Sequence, residues 1–173
     1  MWTTQRVVIA FVLGGLVGLL LDQIHVRYGV LYYASPFLFG QAWWVWPLFG
    51  TTTVGVLQGA TLFTRASIGE HELVGSAIWF GAAYWASGIW HGHPIGLTIA
   101  YLVFFALRTT HGATWLFALG TAAGGVLVEC TLTSLGLFTY RHPDLLGLPL
   151  WLPGLYMHGV PFALALALRL HRP

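Results

Sequence analysis

The chain has 173 residues, of which 57% are hydrophobic and only 7% charged, with a net charge of +2 and a mean hydropathy of +0.76. A soluble domain is about 25% charged, so the expected solvent for most of this chain is lipid. The apolar content excludes disorder and the single Cys130 a disulfide scaffold, while the absence of a basic run speaks against nucleic-acid binding.

Six apolar stretches predict six membrane helices: 6–21, 37–63, 73–90, 94–110, 113–138 and 148–170. Each approaches the roughly 20 residues that span about 30 Å of hydrocarbon. The first has an arginine and an apolar centre, as a signal peptide does, but Asp22-Gln23-Ile24-His25 follows it instead of a small-residue cleavage site, so it is read as a mature helix. Arg6, Arg65, Arg108, Arg169 and Arg172 fall on one side of a six-span arrangement, and Arg27 and Arg141 on the other. The positive-inside rule then places both termini in the cytosol. The expected fold class is all-α: a polytopic membrane protein, a single compact bundle of six transmembrane helices around a lipid-accessible cavity. The lack of lysine beside abundant Gly, Ala, Leu and Arg points to a bacterial coding bias and so to a prokaryotic plasma membrane, or the ER membrane in a eukaryote.

Small-xxx-small pairs, which let helices approach closely in lipid, occur at Gly14/Gly18, Gly55/Gly59, Gly88/Gly92 and Gly120/Gly124. Gln41, Leu48, Thr52, Gly55 and Gly59 would share one face of a second helix starting at residue 37, and Pro47 would loosen it. No convincing internal repeat is read from the sequence.

Polar groups inside the spans are the candidate site residues, because hydrocarbon leaves them no solvent partner. Glu129 lies well inside the fifth stretch, where it is either a lipid or proton contact or a neutral acid bonded to a neighbouring helix. His158, between Pro153 and Pro161, either lines a gap beside a bent helix or satisfies a carbonyl that Pro161 frees. Gln41, Glu129 and His158 are the candidates for hydroxyl contacts; Trp43, Thr52, Tyr84, Ser87 and Trp151 are candidate lining. His91 and His93 are the only closely spaced histidines, and the sequence offers no metal-site spacing. It also holds no nucleophile elbow, Walker loop or dinucleotide fingerprint, and no catalytic residues or cofactors are expected beyond a bound lipid.

Three segments together resemble the Insig (insulin-induced gene) family of membrane sterol sensors. Ala42-Trp43-Trp44-Val45-Trp46-Pro47 with Gly50-Thr51 is similar to the family's A-W-W-V-P-P-x-x-G-T signature, and Gly69-Glu70 to its L-G-E loop. Gly136, Tyr140, Pro143-Asp144, Trp151-Leu152-Pro153 and Gly159 keep the spacing of its G…Y…P-D…W-L-P…G run, and Gln23-Ile24 also fits. The resemblance implies a six-helix bundle with a cavity for an amphipathic lipid, an oxysterol in animals, and a regulator rather than a catalyst. It also implies a partner surface on the third and fourth spans, here expected to make a homo-oligomer. His111 stands where the family has an aspartate needed for Scap contact, which speaks against a Scap-type partner.

The leading expectation is therefore a non-enzymatic protein that binds a sterol-like or diacylglycerol-like lipid. The alternatives are a small proton-linked transporter using Glu129, and a lipid-modifying enzyme pairing Glu129 with His158, against which the lack of a second buried acid argues.

Overall fold

A computed structural model describes residues 2–63 and 72–170. The Gly69-Glu70 motif, Arg65 and Arg172 lie outside the described residues. The described residues form six helices: α1 (Thr4–Arg27), α2 (Val45–Phe63), α3 (Leu73–Trp90), α4 (Pro94–Arg108), α5 (Gly112–Ser134) and α6 (Leu152–Leu170). Two three-residue strands, β1 (Leu31–Tyr33) and β2 (Phe138–Tyr140), pair antiparallel.

Helix α1 begins under a Thr3 cap, whose side chain accepts from the Arg6 amide, and runs past the apolar stretch to Arg27. A change in hydropathy does not stop a helix; a chain reversal does, and here it comes at Gly29, with φ +65°. Asp22 and His25 are thereby carried on a buried helix face rather than in a loop.

The second, fifth and sixth expected spans are too long. Residues 37–44 form a hairpin instead of a helix: Phe39 and Gly40 have φ of 52° and 84°, and Leu38 bridges to Gln41. Two successive positive φ values suit a type I′ turn and break a helix. The face joining Gln41 to Thr52 therefore does not exist, and Pro47 falls in the first turn of α2, where no intrahelical N–H is needed. The same turn recurs at Leu146 (φ 53°) and Gly147 (φ 80°), with Leu145 bridged to Leu148, so α6 starts at Leu152. Phe138 belongs to β2 rather than to the fifth helix.

These recurrences form a pattern. The unit α1-β1-α2 is repeated as α5-β2-α6 at a constant offset of 107 residues, which takes Asp22 to Glu129, Gly29 to Gly136, Tyr33 to Tyr140, Pro36 to Pro143, Gly40 to Gly147 and Trp44 to Trp151. Helix α2 maps onto α6 end for end. The strand pairing joins Tyr32 to Thr139, which are themselves equivalent positions. The outer bonds, Ala34 N–H to Leu137 O (3.0 Å) and Arg141 N–H to Val30 O (2.8 Å), are equivalent too. An antiparallel ribbon centred on equivalent residues relates the two units by a pseudo-two-fold axis, with both connections at the same end of the bundle. The sequence reading that saw no internal repeat is thus corrected. Hydropathy alone does not reveal the repeat, because its landmarks are turn glycines and single polar residues.

Close packing follows the same symmetry. Gly18 of α1 seats the ring of Phe49, and its equivalent Gly125 of α5 seats that of Tyr156. A Cβ on Gly15 would lie 2.6 Å from Trp46 Nε1 and one on Gly14 would overlap Thr53, so α1 and α2 meet almost backbone to backbone. Of the other small-residue pairs, Gly59 meets Phe117 and Gly88 meets Ile24, whereas Gly55, Gly92, Gly120 and Gly124 face open space.

Helices α3 and α4 lie between the two units in sequence and break the symmetry. Helix α3 wedges between α1 and α6, whereas α2 and α5 touch each other directly. The exterior is apolar: Leu20, Leu62, Leu107 and Leu127 are among many large hydrophobic side chains left exposed, a surface suited to lipid and not to water. Helices α1 and α5 are each long and apolar enough to cross a bilayer, and α4 is a shorter apolar helix.

Candidate binding site

A small polar cavity lies inside this apolar bundle, at the end where β1 and β2 pair. Its wall includes Asp22 and His25 of α1, Tyr33 of β1, Tyr84 of α3, Glu129 of α5, Tyr140 of β2 and Tyr156 of α6, closed by Trp44, Leu48, Phe49 and Leu132. The free space is about 30 Å³, room for roughly two waters at about 10–15 Å³ each. A bound lipid needs several hundred Å³, so the interior, as it stands, accommodates a head group and not a whole lipid.

Two carboxylates face this space. Tyr33 Oη and Gln41 Nε2 each donate to Asp22 Oδ2 at 2.8 Å. Tyr140 Oη donates to Glu129 Oε2 at 3.1 Å and Tyr156 Oη to Oε1 at 2.6 Å. The two arrangements are equivalent under the repeat, each tyrosine lying eleven residues beyond its acid. Where the second unit has Tyr156 the first has Phe49, and Gln41 supplies the missing donor. All four donors are neutral, so the hydrogen bonds that hold the two acids bring no cation to either. Each carboxylate oxygen accepts up to two hydrogen bonds, and acceptor capacity therefore remains for a hydroxyl-bearing guest.

His25 completes the wall. Its Nε2 lies 2.8 Å from Ser87 Oγ, and the serine directs its own proton to the carbonyls of Tyr84 (3.0 Å) and Ala83 (3.1 Å). The serine oxygen is therefore the acceptor and His25 Nε2 carries the hydrogen. Tyr84 stacks on the other face of this contact, with ring centroids 5.0 Å apart.

The residues singled out from sequence are brought together only in part. Glu129 and Tyr84 line the cavity, Gln41 holds Asp22 and the Leu19 carbonyl, and Ser87 anchors His25. Trp151 is fully buried behind the wall, against His25 and Tyr140. His158 is buried between Tyr101 and Phe105, with Nε2 3.1 Å from the Tyr101 carbonyl. It therefore packs α6 against α4 and does not pair with Glu129. Trp43 and Thr52 are exposed.

Asp22, His25, Tyr33, Tyr140 and Tyr156 escaped the sequence reading, which also took Glu129 to be the sole buried acid. Asp22 is 4% exposed. The signal that reveals it is the matched pair of turns, Tyr33-x-x-Pro36-x-Leu38-x-Gly40 and Tyr140-x-x-Pro143-x-Leu145-x-Gly147, each preceded at the same distance by an acid.

No protein-family model matches the chain, and no curated protein does. Two crystal structures share its fold over nearly the whole length. One is a mycobacterial Insig homologue, MvINS, from Mycobacterium vanbaalenii, at 23% identity; the other is a cross-linked trimer of a cysteine variant of MvINS, at 24%. Each match has a TM-score of 0.78 and covers 99% of this chain and 97% of the other. The fold is thus that of the mycobacterial Insig homologue.

Proposed function

We propose that this protein is a non-enzymatic membrane receptor for a sterol-like or diacylglycerol-like lipid, whose hydroxyl enters the cavity between Asp22 and Glu129. The observation that carries the reading is the pair of equivalent acid–tyrosine groups facing one enclosed space in an otherwise apolar bundle. An apolar wall with a few convergent polar groups is the usual form of a ligand site. Gln41, Tyr84 and Glu129 act at the head group, Ser87 and Trp151 support the wall, and His158 holds α6 to α4 away from it. The Insig-homologue fold agrees with a sensor; the arginine bias supports both termini in the cytosol, and the lysine-free composition supports a prokaryotic plasma membrane. Purification in mild detergent followed by mass spectrometry tests the reading. A stoichiometric hydroxylated lipid, and a rise in Tm on adding oxysterol or diacylglycerol, are expected; the absence of both refutes it.

Self-association belongs to the same proposal. MvINS was crystallised as a cross-linked trimer. The outer faces of α3 and α4 here expose Ile78, Trp85, Ile89, Ile99 and Phe104, a surface on which copies of the chain would pack. Cross-linking in native membranes is expected to give oligomer bands.

A proton-linked transporter is the second reading, and the internal repeat favours it. Parallel repeats related by an axis along the membrane normal occur in transporters, and two acids rather than one face the cavity. It predicts pH-dependent flux into liposomes that Glu129→Gln abolishes.

A further inference from the structure

The repeat creates two equivalent seams, α1 against α6 and α5 against α2, and the protein fills only one of them. In the first, α3 packs on both neighbours: Gly88 receives Ile24 and Tyr28 of α1, and Phe80 lies over Gly159 of α6. From there Tyr84 reaches the polar cavity beside His25 and Leu155. In the second seam no helix among the described residues plays that part.

The unfilled seam can be read residue by residue. The positions equivalent to His25 and Leu155 are Leu132 and Leu48, and both line the cavity. The position equivalent to Gly159 is Thr52, and those equivalent to Ile24 and Tyr28 are Thr131 and Leu135; all three are exposed. Gly55, one turn from Thr52, has no atom within 4 Å of where a Cβ would stand. Direct contact between α2 and α5 is made away from the cavity, by Gly59 and Phe63 on Phe117. The second seam therefore leads from Leu48 and Leu132 on the cavity wall to the exposed Thr52, Thr131 and Leu135, with no helix among the described residues wedged between α2 and α5.

We infer that the α2–α5 seam is the site for the hydrocarbon body of the lipid, which passes between Leu48 and Leu132 and lies over Thr52, Gly55, Thr131 and Leu135. The inference rests on the lipid-binding reading above and deepens it. An apolar rod ending in a hydroxyl would enter this seam as the Tyr84 side chain enters the other, and would meet Glu129 and Asp22 from the opposite side. This division also accounts for the size of the cavity, which holds the head while the tail remains in contact with the bilayer. Binding would not require the solid core around Leu155, Val160 and Leu164 to open.

A diacylglycerol carrying a diazirine midway along one acyl chain tests the site, using the full-length protein in nanodiscs. The expected result is saturable photolabelling of peptides from α2 (45–63) and α5 (112–134), reduced about tenfold or more by Leu132→Trp with Tm retained. Should Leu132→Trp fail to fold, Leu48→Trp narrows the same seam from the other helix. Saturable labelling confined to α1, α3 or α6 would overturn the seam while leaving the lipid-binding reading intact. No saturable labelling of a folded protein would overturn both. Disulfide-linked dimers of Thr131→Cys, with no labelling of either helix, would assign the seam to a second copy of the chain instead.

Discussion

Asp22 and Glu129 occupy one position in two copies of the same helix–turn–helix unit, and each accepts a hydrogen bond from the tyrosine eleven residues further on. Their side chains border the same small cavity. The pseudo-two-fold axis turns a solitary polar residue in each repeat into a pair, which gives the bundle one polar spot and places it at the ribbon end.

The donors around the two acids differ in a way that substitutions can expose. Tyr156→Phe and Tyr140→Phe each remove a buried donor to Glu129 and should destabilise the protein by about 1–3 kcal/mol. Phe49→Tyr places a phenol where the second repeat already has one, and is expected to be tolerated within about 1 kcal/mol. Thermal unfolding in detergent distinguishes the cases; a larger loss for Phe49→Tyr than for Tyr156→Phe would contradict the equivalence.

Sharing a cavity should couple the acids energetically. Asp22→Asn and Glu129→Gln made singly and together form a cycle whose interaction energy is expected at about 0.5–3 kcal/mol. Strict additivity would mean that the two groups do not sense one another.

Glycines in the helices divide into those that hold a neighbour and those that face lipid. Gly18→Ala overlaps the Phe49 ring and should lose about 1–3 kcal/mol. Gly120→Ala meets nothing within 4 Å and should gain up to about 1 kcal/mol from helix propensity. Chemical denaturation of the two variants side by side gives the comparison, and equal losses would refute it.

The repeated turns supply another matched test. Gly40→Ala and Gly147→Ala both place a side chain at positive φ, at about 1–2 kcal/mol each. Gly40→Ala should lose more, because its Cβ would lie 2.9 Å from Val26 Cγ1, whereas the nearest atom to that of Gly147 is Thr133 Oγ1 at 3.5 Å. A greater drop in Tm for Gly147→Ala would go against this ordering.

Acidification should loosen the start of α3. Glu72 caps that helix, accepting from the amides of Gly75 (2.6 Å) and Val74 (2.9 Å), and these bonds hold its carboxyl below the usual range. A depressed value means that the cap stabilises above the unfolded value, about 4.3, and is lost as pH falls through the folded one. Protection of the first α3 amides against hydrogen exchange should therefore drop in acid, and Glu72→Gln should remove the pH dependence.

Composition and apolar run lengths were sufficient to read six helices, a lipid environment and Glu129 as an anomaly, because hydrophobic transfer depends on each residue's own chemistry. Helix ends were less legible. The turns at Phe39-Gly40 and Leu146-Gly147 sit within apolar runs, where hydropathy does not register backbone conformation. The expected first span ends at residue 21, which leaves Asp22 just beyond it; only the continuation of α1 to Arg27 buries it.

The sequence by itself determined that the chain prefers an apolar solvent, that it carries six apolar helical stretches and that a few polar groups have to find partners there, since those are consequences of solvent preference and chain length. The tertiary structure alone decided which polar groups meet. Tyr33, Gln41, Tyr140 and Tyr156 find Asp22 and Glu129 because the antiparallel ribbon turns one repeat onto the other, and α3 fills one seam and leaves its equivalent open. Such pairings depend on how separate segments pack in space, and no local property of any one segment contains them.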